Sequence, residues 1–177
     1  MQAQLQGQER DRIFRLLLEV MEDFQRLKIR FGPVSSLTIT RARKSAGVCK
    51  RTRTGSSFEY VIGFSKYYLG LEDQEAKNIL AHELIHTVRG CYNHGANFKQ
   101  RAEKLNRAGY NVRTHITERQ HEQAKERLKQ GLVIILCGRG CEFYASPKSR
   151  MAREPEKYRC RKHKLSLFRM DSVASEE

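Results

Sequence analysis

Apolar residues in the first thirty positions recur at Ile13, Leu16, Leu17, Val20, Met21, Phe24 and Leu27. Steps of three and four residues place them on one face of a helix over residues 9–29, which Gly32-Pro33 would stop. The pattern then changes. Residues 36–42 and 58–64 alternate or run apolar with β-branched and aromatic content, as strands do, and a third strand is expected around residues 48–51. A second helical pattern covers residues 71–90 through Ile79, Leu80, Leu84, Ile85 and Val88. Its acids Glu72 and Asp73 sit at the N-terminal end, where the helix dipole favours them, and Gly90 suits the position after the last turn. Apolar residues occupy most sides of this segment, so it is expected to be buried. Residues 96–108 form a further helix ended by Gly109. Residues 118–130 are polar and helix-prone, as a linker helix would be.

The architecture that follows is α+β: an N-terminal helix, a small antiparallel or mixed sheet, a buried helix with a second helix behind it, and a small C-terminal unit. The expected divisions are residues 1–130, 131–170 and a disordered tail, 171–177. The longest apolar run, Leu132 to Leu136, is strand-sized, so no membrane association is expected. The N-terminal MQAQLQGQERDR lacks a basic start and an apolar stretch. A cytoplasmic location, at the nucleoid if the source is bacterial, and a monomer are therefore expected.

The buried helix carries His82-Glu83-Leu84-Ile85-His86, an H-E-x-x-H sequence. Four residues on a helix bring two imidazoles to one face, one turn apart, where both can bind a single Zn²⁺. Glu83 beside the first ligand is placed to act as general base. A catalytic zinc needs a third protein ligand and an open position. Gly90 permits the chain to turn back and present His94, while Glu103 on the next helix competes for the same role. His94 is favoured because it follows a turn and precedes Gly95. His115 and His121 read as surface or strand-end residues, and Tyr92 and Tyr110 as packing.

Charge and cysteines extend this picture. Net charge is +14, and it is segregated. Arg41, Arg43, Lys44, Lys50, Arg51 and Arg53 lie in a stretch without an acid, on an outward-reaching hairpin region. A second basic block runs from Arg139 to Arg169 and includes Arg161 and Lys162. Clustered positive charge repels itself, and a polyanion offsets that cost, so a nucleic acid is the expected partner of these residues, a solvated surface that keeps the protein in solution being the alternative. Five cysteines form an odd set, which argues against a disulfide framework. Cys137, Cys141, Cys160 and His163 have metal-like grouping, whereas Cys49 and Cys91 read as ordinary small residues.

The quoted motif, His94-Gly95-Ala96-Asn97-Phe98 and Leu105-Asn106-Arg107-Ala108-Gly109 together resemble the SprT-like zinc metalloproteases, which include the Spartan proteases of eukaryotes. The resemblance spans about residues 10–168 and is specific over residues 82–109. It implies a zincin-like fold over residues 1–130, catalytic zinc on His82, His86 and His94, and Glu83 as the catalytic acid and base. It also implies cleavage of DNA-associated or DNA-crosslinked proteins and a C-terminal zinc ribbon over residues 131–170. The ribbon departs from the pattern. Three residues separate Cys137 from Cys141, and the second knuckle reads Cys160-Arg-Lys-His163. Zinc accepts three cysteines and a histidine, so a second, structural Zn²⁺ is chemically sound. A ribbon that folds without metal is the alternative. Two other functions stay open: a non-proteolytic nucleic-acid-binding zinc protein, and a regulatory protease cutting one dedicated repressor.

Overall fold

A computed structural model describes residues 2–129 and 132–169. The tail expected to be disordered, 171–177, lies outside the described residues. Helices and two small three-stranded sheets make up an α+β chain that divides into two compact units, Met1–Ala124 and Lys125–Glu177.

In the first unit, α1 (Gln2–Arg26) buries Ile13, Leu16, Leu17, Val20 and Phe24, each at 2% exposure or less. Burying side chains of this size contributes ~1.5–3 kcal/mol each, enough to set the helix's orientation. The helix ends earlier than Gly32-Pro33 would require. Lys28 takes a left-handed conformation (φ 54°) and donates its N–H to Gln25, three residues back. Polar ties then fasten α1 to α2 (Asp73–Ile85). Arg12 donates to the carbonyls of Leu69 and Leu71 at 2.8 and 2.6 Å and pairs with Asp73 at 2.6 Å, while Lys77 pairs with Glu19 at 2.5 Å.

The sheet is mixed. β1 (Val34–Thr40) runs parallel to β3 (Ser57–Ser65), and β2 (Gly47–Thr54) pairs antiparallel with β3 through a hairpin turned at left-handed Gly55. The strand order β1-β3-β2 leaves β2 at an edge. Ile62 and Phe64 of β3 are fully buried in the same core as Leu80, Leu84 and Ile85 of α2.

Helix α2 stops at Ile85, not at Gly90 as its pattern suggests. The Thr87 hydroxyl donates back to the Leu84 carbonyl (2.8 Å), and the N–H groups of Thr87 and Val88 reach only three residues back. These contacts tighten the last turn and release the chain. Thr87 also accepts from the Gly32 N–H (3.1 Å), which pins the segment between α1 and β1 to this helix end. Beyond left-handed Gly90 (φ 82°), α3 (Ala96–Arg107) buries Phe98, Ala102 and Leu105. Helix α4 (Glu118–Lys129) follows, and the division between the units falls within it.

The second unit holds β4 (Val133–Cys137), β5 (Glu142–Ala145), the short α5 (Arg150–Arg153) and β6 (Leu167–Arg169). The strands form one antiparallel sheet in the order β5-β4-β6. Its buried set is small: Ile135, Cys137, Ala145, Ala152, Cys160 and Leu167. Two of those six are cysteines, so the unit's core and its metal-ligand cluster are partly the same residues.

Candidate metal centres

Helical spacing puts His82 and His86 on one face of α2, and the turn beyond Gly90 returns His94 to them. The Nε2 atoms of His86 and His94 lie 3.2 and 3.0 Å from Nε2 of His82. The other ring nitrogens settle what these contacts are. His82 Nδ1 lies 2.7 Å from the Arg113 carbonyl and His86 Nδ1 lies 2.8 Å from the Cys91 carbonyl. A carbonyl only accepts, so both protons sit on Nδ1 and both Nε2 atoms present bare lone pairs. Lone pairs facing each other at 3.2 Å repel unless a cation lies between them. Tetrahedral zinc with Zn–N of about 2.05 Å separates its nitrogens by about 3.3 Å, so the donor set fits this ion. Burial, opposed in part by the bond to Arg113, lowers the His82 pKa to about 4, and burial lowers that of His94 as well. Neutral imidazole is the form a metal requires.

Glu83, the residue between the ligands, is 7% exposed, and burial raises its carboxyl to about 8. It reaches β2 at Gly47, where an added Cβ would lie 2.6 Å from both Cγ and Oε1 of Glu83. Glycine there gives the carboxylate its room. Burial, reinforced by Glu83, pushes the nearby Cys49 thiol up to about 12, so that residue is an inert part of the wall. Helix α2, strand β2 and the 111–118 segment enclose a cleft of about 950 Å³ over the three histidines.

Of the other candidates, Tyr92 departs from its expected place. Glu103 forms an exposed ion pair with Arg107 at 2.5 Å, leaving His94 as the residue that converges with His82 and His86. His115 and His121 line the cleft. Tyr92 is 55% exposed and its ring lies 4.5 Å from the Arg51 guanidinium, whereas Tyr110 is packing as expected, its hydroxyl donating to Asp23 at 2.5 Å.

Sequence reasoning missed the supports. Fully buried Phe98 touches all three imidazoles, with centroid distances of 4.9, 4.9 and 4.7 Å to His82, His86 and His94. It is the floor on which the rings rest. Asn106 donates to the Val112 carbonyl (3.2 Å) and accepts from the Val112 N–H (2.7 Å), which holds the strand of chain that offers the Arg113 carbonyl to His82. The H-G-x-x-F and asparagine motifs contained both residues without stating their tasks.

In the second unit, Cys137, Cys141, Cys160 and His163 bring their donor atoms within 4.8 Å of one another. His163 Nδ1 lies 3.4, 3.5 and 3.9 Å from the sulfurs of Cys137, Cys141 and Cys160. A tetrahedral zinc with Zn–S of about 2.3 Å spaces sulfur from nitrogen by about 3.6 Å, so this set also fits. The extra residue of the first knuckle is taken up by left-handed Gly140 (φ 77°), whose N–H returns to the Cys137 carbonyl at 2.9 Å. In the second knuckle Lys164 takes that conformation (φ 60°) and donates to the Cys160 carbonyl at 2.7 Å. The hydrogen bond to His163 pulls the Cys137 thiol down to about 6, toward the thiolate that metals bind.

Of the basic residues expected to meet DNA, Arg41, Arg43, Lys44, Lys50, Arg161 and Lys162 are exposed. Arg53 is exposed too and donates to the Gly55 carbonyl at 3.1 Å. Arg51 is exposed but turns to the cleft. Among the described residues, no helix is long and apolar enough to cross a membrane. Neither curated proteins nor solved structures give a match to the chain. A family model does: that of the SprT-like family matches residues 14–121, a span that contains α2, the returning His94 and the clamped 110–113 segment. The chain belongs to the SprT-like family, a family generally related to metalloproteases.

Proposed function

We propose that the protein is a zinc-dependent endopeptidase acting on DNA-associated or DNA-crosslinked proteins. The observation that carries the proteolytic half is the convergence of three Nε2 atoms, those of His82 and His86 bare, next to a buried carboxyl group in an open cleft. Zn²⁺ held by His82, His86 and His94 would supply a Lewis acid that makes water a nucleophile near neutral pH. Burial raises Glu83 to about 8 without metal, and a cation beside it would favour its ionised form, in which it takes the proton of the attacking water and passes it to the departing amine nitrogen. Its burial keeps bulk water from competing, and Gly47 keeps its carboxylate aimed into the cleft. The edge strand β2 offers unpaired backbone groups to an extended peptide, the usual way a sheet edge receives one. Such pairing is tolerant of sequence but demands an unfolded or tethered segment.

The DNA half rests on charge. Exposed Arg41, Arg43, Lys44 and Lys50 lie in and beside the loop entering β2, and Arg161 and Lys162 lie on the second knuckle of the ribbon. A second, structural Zn²⁺ on Cys137, Cys141, Cys160 and His163 would hold that knuckle in shape, since its unit has little other core. The test is a DNA–protein crosslink assay comparing the wild-type protein with Glu83→Gln. Loss of crosslinked protein with the wild type alone is expected. Equal loss with both, or with neither while DNA affinity persists, would transfer the function to nucleic-acid binding.

A further inference from the structure

Arg51 stands among the residues assigned to DNA by sequence, yet its surroundings are those of a peptide cleft. Alternation along β2 puts it on the face that carries Gly47 and Cys49, the residues beside Glu83. Its Cζ lies 4.5 Å from the ring centroids of both Phe58 and Tyr92. Phe58 comes from the partner strand β3, and Tyr92 from the loop that delivers His94. Packing over two rings costs the side chain its freedom and occupies the guanidinium faces; one edge approaches the Tyr60 hydroxyl, and the remaining N–H donors are left for a ligand. Among the described residues no carboxylate forms an ion pair with Arg51. The acids that line the cleft are Glu75, Glu83 and Glu118. An immobilised cation with aromatic partners and no carboxylate partner among the described residues, on the wall of a substrate cleft, is arranged to receive a planar anion.

We infer that Arg51 is a specificity-determining residue that reads an acidic side chain of the substrate peptide. Gly47 marks the level of Glu83, and Arg51 lies four residues along the strand, about 14 Å at about 3.4 Å per residue. A peptide paired on the open edge of β2 would therefore place its carboxylate about four residues from the bond to be cut. The inference rests on the proteolytic reading of this cleft. A nucleic-acid phosphate is the competing anion, but the face shared with Gly47 and Cys49 favours the peptide.

The experiment uses the full-length, zinc-loaded protein and extended peptides that differ only by Glu, Gln or Lys at one position, scanned along the chain. Specific turnover (kcat/KM) is read for each. Binding of the same peptides to Glu83→Gln is read by fluorescence anisotropy, and DNA affinity is measured in parallel. The wild type should prefer Glu to Gln about tenfold at one position, chiefly through KM, as a charge-assisted hydrogen bond allows. Arg51→Lys should keep the sign of that preference, Arg51→Gln should abolish it and Arg51→Glu should turn it toward the Lys peptide, with DNA affinity unchanged. A merely structural tie between hairpin and loop would lower turnover of all peptides equally, and that result overturns the inference. So does loss of DNA affinity in Arg51→Gln with peptide preference intact, which assigns Arg51 to nucleic acid. Cleavage or binding without charge preference sinks this inference alone. Failure of the wild type to cut any peptide sinks the proteolytic reading, while anisotropy still decides whether Arg51 reads the carboxylate.

Discussion

Replacing Asn106 by alanine should weaken zinc at the three histidines, although Asn106 makes no contact with them in the hydrogen-bond network. Its side chain holds Val112 by both backbone groups, at 3.2 and 2.7 Å, and the next carbonyl, that of Arg113, accepts from His82 Nδ1 at 2.7 Å. That last bond keeps the proton on Nδ1 and so keeps Nε2 free for metal. Each lost side-chain bond costs ~0.5–1.5 kcal/mol, so the two together cost ~1–3 kcal/mol of local stability. Removing the partner of a ligating histidine typically weakens metal binding about 10–100-fold, or ~1.4–2.7 kcal/mol, a range that overlaps the first. The assay is competition of each variant against a chromophoric chelator, with His82→Ala marking which zinc belongs to which site. Asn106→Ala should lose about 10–100-fold at the histidine site and nothing at the ribbon. Asn106→Asp, which keeps the acceptor for the Val112 N–H, should fall between. A lowered melting temperature with unchanged zinc affinity would refute the reasoning, because the clamp would then support the fold without orienting His82.

Two further outcomes follow from the site. Gly47→Ala places a Cβ 2.6 Å from Glu83 Oε1, closer than unbonded atoms tolerate, so the carboxylate must move. Turnover should fall about 10²–10⁴-fold, the contribution of a general base, with zinc content unaltered, and peptide hydrolysis within threefold of wild type would count against it. The second concerns pH in the metal-free protein. Burial raises Glu83 from 4.5 to about 8, so its contribution to stability is whole below pH 4.5 and is lost as pH rises toward 8. Burial lowers His82 from 6.5 to about 4, so its contribution is whole above pH 6.5 and is lost as pH falls toward 4. Between pH 4.5 and 6.5 the two slopes oppose each other; above 6.5 that of His82 is spent, and the Cys137 thiol, lowered from 9.0 to about 6, adds stability with rising pH against the loss at Glu83. Urea unfolding of chelator-treated protein should therefore show the wild type losing stability relative to Glu83→Gln from pH 6.5 to 8, by at most about 1.4 kcal/mol per pH unit, the Cys137 slope being common to both. Parallel curves for the two proteins would sink the assignment.

Much of the fold was legible because its periodicities are local. The face of α1 that carries Ile13, Leu16, Leu17, Val20 and Phe24 is buried as its spacing requires, and the three strands near the basic stretch are present. The errors lie where side chains talk to backbone. Nothing in the pattern of residues 71–90 announces that the Thr87 hydroxyl will turn back to Leu84 and end α2 at Ile85. The basic hairpin was read as reaching outward as a block, but a strand alternates its faces, so Lys50 and Arg51 point opposite ways. Which of them meets the cleft depends on pairing register, with Arg51 opposite Tyr60.

By itself the sequence determined that His82 and His86 share one helix face with Glu83 between them, because helical spacing is set by backbone geometry alone. It also supplied the four residues of the second unit that could hold a metal, Cys137, Cys141, Cys160 and His163, and the segregation of charge. Only the tertiary structure decided that His94 rather than Glu103 completes the first set. It alone placed Phe98 beneath the three rings, and it alone gave His82 and His86 the carbonyls of Arg113 and Cys91. The reason is that every residue carries a carbonyl, so no letter in the sequence marks the ones that will face a histidine. That choice is made when distant segments pack.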